Sequence, residues 1–319
     1  MAETTKKTRD SILDVNMADY LKRIRGCKAE KPIPTGFEDL DEMLKGGLTN
    51  GLYVINGDDA VRSTNFALQM ACQIAKTGKR VVFFSLNTTG ERLIAKCLSR
   101  EMGEYCCDKH IKSNAYKTAD EILRMGFDGS SEELSQTEQT VFSESVERLA
   151  SYGDKINCFS ILFEPFSSTF GSTSLPLGRI EFFVEKILDA GEKPVVIVDD
   201  LRTLAAYEGA VDEKYYTAKQ TLNKILFKLK GIGVYVPVIA VNTTTFGKKE
   251  YKNYGSAQYG NDDESIKNIS DVVINMQDET GFSNPVLKVT LMKGGEKSEN
   301  KEICTNLLYN IKYNFFFEV

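Results

Sequence analysis

The residues with the clearest chemical spacing run from Gly57 to Thr64, reading Gly-Asp-Asp-Ala-Val-Arg-Ser-Thr. They follow a short apolar run, Leu52 to Asn56, and precede a stretch with helical apolar spacing. A strand, loop and helix in that order is where a phosphate-binding loop, G-x-x-x-x-G-K-[ST], would sit. In that motif backbone N–H groups cradle phosphates, the lysine reaches the outer phosphates and the hydroxyl holds Mg²⁺. Here Gly57 and Thr64 keep the first and last positions, Arg62 replaces the second glycine and Ser63 replaces the lysine. A glycine and a threonine alone identify nothing. Arg62 has two readings: its forked guanidinium could reach a phosphate, or it is a solvated residue on an unused loop. Asp58 and Asp59 bring negative charge towards any triphosphate.

A second constellation is Phe246 to Gly260, which interleaves Lys248, Lys249 and Lys252 with Tyr251, Tyr254 and Tyr259. Cations that track a backbone beside rings that stack on bases suit sequence-tolerant single-strand binding. The competing reading is a solvated polar loop, and Asp262-Asp263-Glu264 directly after it blunts the local potential. Cys106, Cys107 and His110 form C-C-x-x-H without a fourth ligand or a second C-x-x-C pair, so no metal site is expected. The seven cysteines are odd in number and irregularly spaced, which reads as reduced thiols. Phe315-Phe316-Phe317 is expected to be core rather than a platform for bases.

The elements that must position these residues follow from periodicity. Leu52–Asn56, Arg80–Leu86, Pro194–Val198, Val236–Val241, Asp271–Met276, Val286–Met292 and Ile311–Phe317 read as strands. Thr64–Thr77, Arg92–Met102, Gly178–Ala190 and Tyr215–Lys230 read as helices, with Gly46-Gly47 ending a short one upstream. Residues 104–155 read as helices joined by polar loops, with a capping box at Thr118-x-x-Glu121. Uninterrupted apolar strands alternating with helices predict a mainly parallel sheet with helices on both faces, whose ligands bind at the carboxyl ends of the strands. Residues 1–31 are expected to form an N-terminal arm whose Leu13, Met17, Leu21 and Ile24 have helical spacing; it packs on its own domain or on a neighbouring subunit. Residues 32–319 then make one large domain. The 319 residues are 42% hydrophobic and 27% charged, with a net charge of −5, a globular balance without the global field of a nucleic-acid binder. A polar start and the lack of a long apolar run point to a cytoplasmic protein with no membrane span.

Around the degenerate loop lie PTGFEDLDEML (from Pro34), VVFFSLNTTGERLIAKCLSRE (from Val81), KPVVIVDDLRTL (from Lys193), VPVIAVNTTTF (from Val236) and IKNISDVVINMQ (from Ile266). Together, in this order and at these separations, they resemble the C-terminal domain of DnaB-type replicative helicases. The opening segment is shared with KaiC-like and RadA-like ATPases; FFSL followed by a helix tips the resemblance towards DnaB. What the resemblance implies is a RecA-like P-loop NTPase fold and an ATP-driven hexameric ring moving on single-stranded DNA during replication. It makes Asp199 the carboxylate at a strand end that holds the water shell of Mg²⁺, unless it merely caps the next turn. It places the loop of Lys248, Lys249 and Lys252 at the channel, and the N-terminal arm against the adjacent subunit.

The departures from the family pattern bear on activity. The slot of the glutamate thought to activate water holds Asn87, which cannot take a proton. The γ-phosphate sensor falls near Asn242 or Thr243, and no arginine follows Lys293 to reach a neighbour's nucleotide, where Gly294 and Gly295 stand instead. The sequence therefore predicts a DnaB-like protein of replication or mobile-element maintenance with impaired ATP hydrolysis and weak ATP/Mg²⁺ binding, acting structurally or by regulation. No residue is assigned as catalytic. Its partners would be single-stranded DNA, held weakly, and further copies of itself or a replication protein. The alternatives are a divergent active helicase using Arg62 for the lysine, and a KaiC-like or RadA-like regulatory ATPase relative.

Overall fold

A computed structural model describes residues 31–111, 115–127, 134–160, 176–212, 217–243, 262–279, 285–293 and 303–319. The N-terminal arm and residues 244–261, with the Lys248, Lys249 and Lys252 loop, lie outside the described residues. The elements, in order, are α1 (Glu38–Met43), β1 (Gly51–Gly57), α2 (Ala60–Lys76), β2 (Val81–Ser85), α3 (Gly90–Asp108), α4 (Ala119–Phe127), α5 (Gln136–Gly153) and β3 (Ile156–Ser160). There follow α6 (Pro176–Asp189), β4 (Val195–Asp199), α7 (Leu201–Asp212), α8 (Ala218–Gly233), β5 (Pro237–Thr243), α9 (Asp262–Ile269), β6 (Val272–Asp278), β7 (Val286–Lys293), β8 (Ile303–Asn310) and β9 (Phe315–Glu318).

The strands form one sheet in the order β3-β2-β4-β5-β1-β6-β7-β8-β9. Pairing is parallel from β3 through β6 and antiparallel from β6 through β9. The parallel strands are apolar along their length because helices cover both of their faces. Two core layers result. One packs Phe66, Met70 and Ile74 of α2 onto Tyr53, Phe83 and Ile239; the other packs Ile180, Leu222, Ile225 and Leu229 from α6 and α8 onto Val54, Phe84 and Val198.

Several expected elements need correction. The helix expected to begin at Thr64 begins at Ala60, because Asp59 caps it. The strand expected at Ile311–Phe317 is a turn followed by β9, and β8 precedes it. Edge strand β3 and helices α7 and α9 were not foreseen. The helix read as Arg92–Met102 runs from Gly90 to Asp108, and that read as Tyr215–Lys230 is resolved as Ala218–Gly233. The capping box is present as read: the Thr118 N–H donates to Glu121 Oε2 at 2.7 Å, and the Glu121 N–H returns to the Thr118 hydroxyl at 3.3 Å. Gly47 is held at φ 120°, where an added Cβ would lie 2.3 Å from the Ile33 carbonyl oxygen, so the turn after α1 requires glycine.

The last strands are stitched to the first elements. Glu318 accepts from the N–H groups of Glu38 and Asp39 at 2.9 and 2.7 Å, satisfying two of the free donors at the start of α1. On α2, the Asn65 amide donates to the Tyr309 hydroxyl and to Asn314, and Gln69 exchanges two hydrogen bonds with the backbone of Phe316. Phe66 stacks on Phe37 and meets Phe316 edge-on at centroid distances of 4.9 and 5.3 Å. Phe316 is 1% exposed, but Phe315 and Phe317 on either side are only half-buried, so the expected core run holds at its middle residue alone, because successive residues of β9 face opposite sides.

Candidate nucleotide site and its relatives

Strand register brings the carboxyl ends together: Gly57 lies beside Thr243, and Ser85 beside Asp199. The candidate residues gather here, at the end of a parallel sheet where ligands bind. The loop itself is short. Only Asp58 and Asp59 separate β1 from α2. A phosphate cradle needs several consecutive N–H groups free to point at an anion. Here the Arg62 N–H donates to the Asp59 carboxylate at 2.8 Å, and the Ser63 N–H donates to the Asp59 carbonyl at 3.0 Å. Asp59 also lays its negative side chain over the positive end of the helix dipole, the place a phosphate would take.

The side chains are engaged in the same way. Arg62 reaches Asp278 on β6 at 2.9 Å and Asp58 at 3.1 Å, and is held between these two acids rather than pointing free over the loop. Ser63 is 1% exposed, and its hydroxyl donates to the Asp59 carbonyl at 2.9 Å. A Cβ on Gly57 would meet that hydroxyl at 2.0 Å, so Gly57 serves the close approach of Ser63.

Thr64 and Asp199 do meet. The Thr64 hydroxyl lies 2.9 Å from both Asp199 carboxylate oxygens. Burial, only partly offset by the Thr64 hydrogen bond, pushes the Asp199 carboxyl up to about 7, with Asp200 adding to the rise and Lys96 opposing it. Asp200, not Asp199, caps the following helix: it accepts from the Thr203 N–H at 2.7 Å. Lys96, on α3, was missed by sequence reasoning; burial pushes its ammonium down, against the pull of Asp199. Asp278, the acid that holds Arg62, was missed as well, since nothing in the sequence links positions 216 residues apart.

The remaining candidates are occupied elsewhere. Asn87 is exposed and accepts from the Thr203 hydroxyl at 2.6 Å. Asn242 belongs to a ladder: its amide donates to Asn56 at 2.7 Å, and Asn56 donates to Asn275 at 3.0 Å, across β5, β1 and β6 in register. The Thr243 hydroxyl is buried without a hydrogen-bond partner among the described residues. Lys293 ends β7. Among the described residues no cluster of His, Cys, Asp or Glu could hold a metal ion, and no helix is long and apolar enough to cross a membrane.

This sheet, parallel from β3 through β6 and flanked by helices, has the RecA-like P-loop NTPase fold. A solved ATPase domain superposes with a TM-score of 0.63 at 16% identity, covering 97% of this chain and 99% of that one. A DnaB-like replicative helicase, solved in a study of its interactions with primase, superposes with a TM-score of 0.62 at 15% identity, covering 96% of this chain and 67% of that one. Residues 32–152 match the family described as DnaB-like helicase C terminal domain. The replicative DNA helicase DnaC of Bacillus subtilis is 40% identical over 89 residues, 27% of this chain and 20% of that protein. The replicative DNA helicase DnaB of Nostoc is 27% identical over 224 residues, 69% of this chain and 21% of that protein. The matched stretches thus span about a fifth of those relatives' length. The chain thus has a RecA-like fold, and its residues 32–152 are similar to the C-terminal domain of DnaB-like helicases.

Proposed function

We propose that this DnaB-like domain serves DNA replication or the maintenance of a mobile element as a structural or regulatory component, with ATP hydrolysis impaired. The observation that carries the reading is the start of α2 at Ala60, capped by Asp59. That single shift consumes the N–H groups of Arg62 and Ser63 and puts a carboxylate where a phosphate would lie. Thr64 and Asp199 fit a hydrated Mg²⁺, which would supply charge neutralisation beside the phosphates; Asp58 and Asp59 do not fit a triphosphate. The alternative of an active helicase led by Arg62 requires that side chain to leave both Asp58 and Asp278. Titration with a fluorescent ATP analogue and Mg²⁺ tests the proposal. Saturation is not expected below about 1 mM, a binding free energy of about −4 kcal/mol. Micromolar affinity would overturn it.

In this proposal residues 32–319 are the RecA-like domain, residues 1–31 are an arm that packs on a second copy, and single-stranded DNA is held weakly by Lys248, Lys249 and Lys252. Light scattering should give a larger mass per particle for the full chain than for a chain starting at Lys31. Equal monomers at high concentration would show that the arm packs in cis. Replacing the three lysines by alanine should abolish retention on a single-stranded oligonucleotide at low salt. The parent's affinity should fall with salt with a log–log slope of about −2, from about 0.7 counterions per neutralised phosphate. A triple variant that binds as well as the parent removes this loop from consideration.

A further inference from the structure

Behind the nucleotide site, α2 and α3 bury a pair of thiols. Cys72 and Cys97 are 2% and 6% exposed, and their sulfurs are 3.5 Å apart. A disulfide has S–S of about 2.05 Å, so a closing movement of about 1.5 Å, within reach of side-chain rotation, separates contact from bond. The surroundings are not those of an inert pair. Arg100 is 1% exposed and donates to Cys72 Sγ at 3.5 Å, to the Asn314 carbonyl at 3.2 Å and to the Asn65 carbonyl at 3.5 Å. Among the described residues no carboxylate lies within ion-pair distance of it. Glu101 is taken by Lys76 at 2.7 Å and by the Tyr152 hydroxyl at 2.5 Å, and Glu104 by Lys76 at 2.7 Å.

A guanidinium keeps its proton in a protein interior. A buried cation needs a nearby anion, and the group against Arg100 that can become one is the Cys72 thiol. The two thiols are unequal. The hydrogen bond from Cys97, aided by Arg100, outweighs burial and brings Cys72 down to about 7. That same hydrogen bond, together with burial, pushes Cys97 well above the ordinary thiol range. The thiolate is the nucleophile in sulfur chemistry, and a neighbouring cation favours it.

We propose that Cys72 and Cys97 form a peroxide-responsive modification site that closes to a reversible disulfide between α2 and α3. The Cys72 thiolate attacks one oxygen of hydrogen peroxide; the O–O bond breaks, Cys72 becomes a sulfenic acid, and hydroxide leaves and takes a proton to become water. The Cys97 sulfur then attacks the Cys72 sulfur; the S–S bond forms, the S–O bond breaks, and the thiol proton leaves with the hydroxyl as a second water. The two thiols are oxidised, and one peroxide is reduced to two waters.

Peptide mapping by mass spectrometry under non-reducing conditions, on the full chain after brief hydrogen peroxide treatment, tests this. The expected product joins the Cys72 and Cys97 peptides with the loss of two hydrogens, and dithiothreitol reverses it. It should form about tenfold faster in the folded protein than in urea, because the fold holds the two sulfurs 3.5 Å apart. Cys97→Ser should trap the sulfenic acid, so that dimedone labels Cys72; in Cys72→Ser, Cys97 should stay unlabelled. The proposal is overturned if the two thiols stay free while exposed Cys107 and Cys304 oxidise, or if the bond forms no faster in the folded chain than in the unfolded one. Labelling of Cys97 in Cys72→Ser overturns the assignment of the nucleophile. The wild-type measurement stands without the variants, should either fail to fold.

Discussion

Purified protein with Mg-ATP should release phosphate at below about 10⁻² s⁻¹, with or without single-stranded DNA. An ordinary enzyme turns over at about 10 s⁻¹, and loss of one charge-stabilising donor costs about 10²–10³ in rate. This chain lacks the loop lysine and an acid at Asn87, and the N–H groups of Arg62 and Ser63 are taken by Asp59. The losses are not additive, but one at the upper end of that range reaches the stated limit, and a second carries the rate below it. The loss also has a partial remedy to look for. Arg62→Gly with Ser63→Lys restores the motif residues, the new lysine supplying the cation for the phosphates. It should raise nucleotide affinity while leaving hydrolysis slow, because Asn87 still cannot accept a proton. Phosphate release at normal rates by the parent, lost in Thr64→Ala, would tie real activity to this loop and end the impaired reading.

The second large effect concerns stability. Asp199 is 1% exposed and its carboxyl is pushed up to about 7 by burial, from an ordinary value of 3.8. The folded state therefore holds this proton more tightly than the unfolded chain does. Its stabilising contribution is fully present below about pH 4 and is lost progressively until about pH 7, where the folded protein also ionises. A rise of that size corresponds to at most about 4 kcal/mol across the window. Asp199→Asn keeps an oxygen that can accept from Thr64 but has no acid to ionise. In metal-free buffer the variant should gain on the parent between pH 5 and pH 8 by about 1–4 kcal/mol. Urea denaturation at both pH values measures the gap, and parallel curves would show that Asp199 is ionised throughout the range.

The central strands were legible because burial on both faces leaves continuous runs such as Val81–Leu86 and Val195–Val198. β8 was not, because its inward residues are Thr305, Leu307 and Tyr309, and two of those three carry hydroxyls. β3 hid for another reason: as an edge strand it is only partly buried. At the site, sequence named Thr64 and Asp199, which the fold brings within hydrogen-bond distance of each other. It misjudged where α2 begins, although Asp59 before Ala60 is an ordinary helix-start signal. The replacement of the second glycine by Arg62 removes the residue best suited to an irregular backbone, and the helix extends through it. The partners Asp278 and Arg100 depend on contacts between distant segments, and no local pattern announces those.

The stitching of β8 and β9 to α1 and α2 has a consequence for the order in which the protein can be finished. During synthesis the chain emerges from its amino end, and α1 and α2 are exposed to solvent or chaperone long before residues 303–319 exist. Until those residues arrive, Glu38 and Asp39 lack their acceptor on Glu318, Asn65 and Gln69 lack Tyr309 and Phe316, and Phe66 lacks the ring of Phe316. A ribosome stalled short of Tyr309 would carry a nascent domain with a polar, half-apolar cleft where its closing strands belong. Residues 303–319 thus seal elements that lie 244 to 280 residues earlier in the chain.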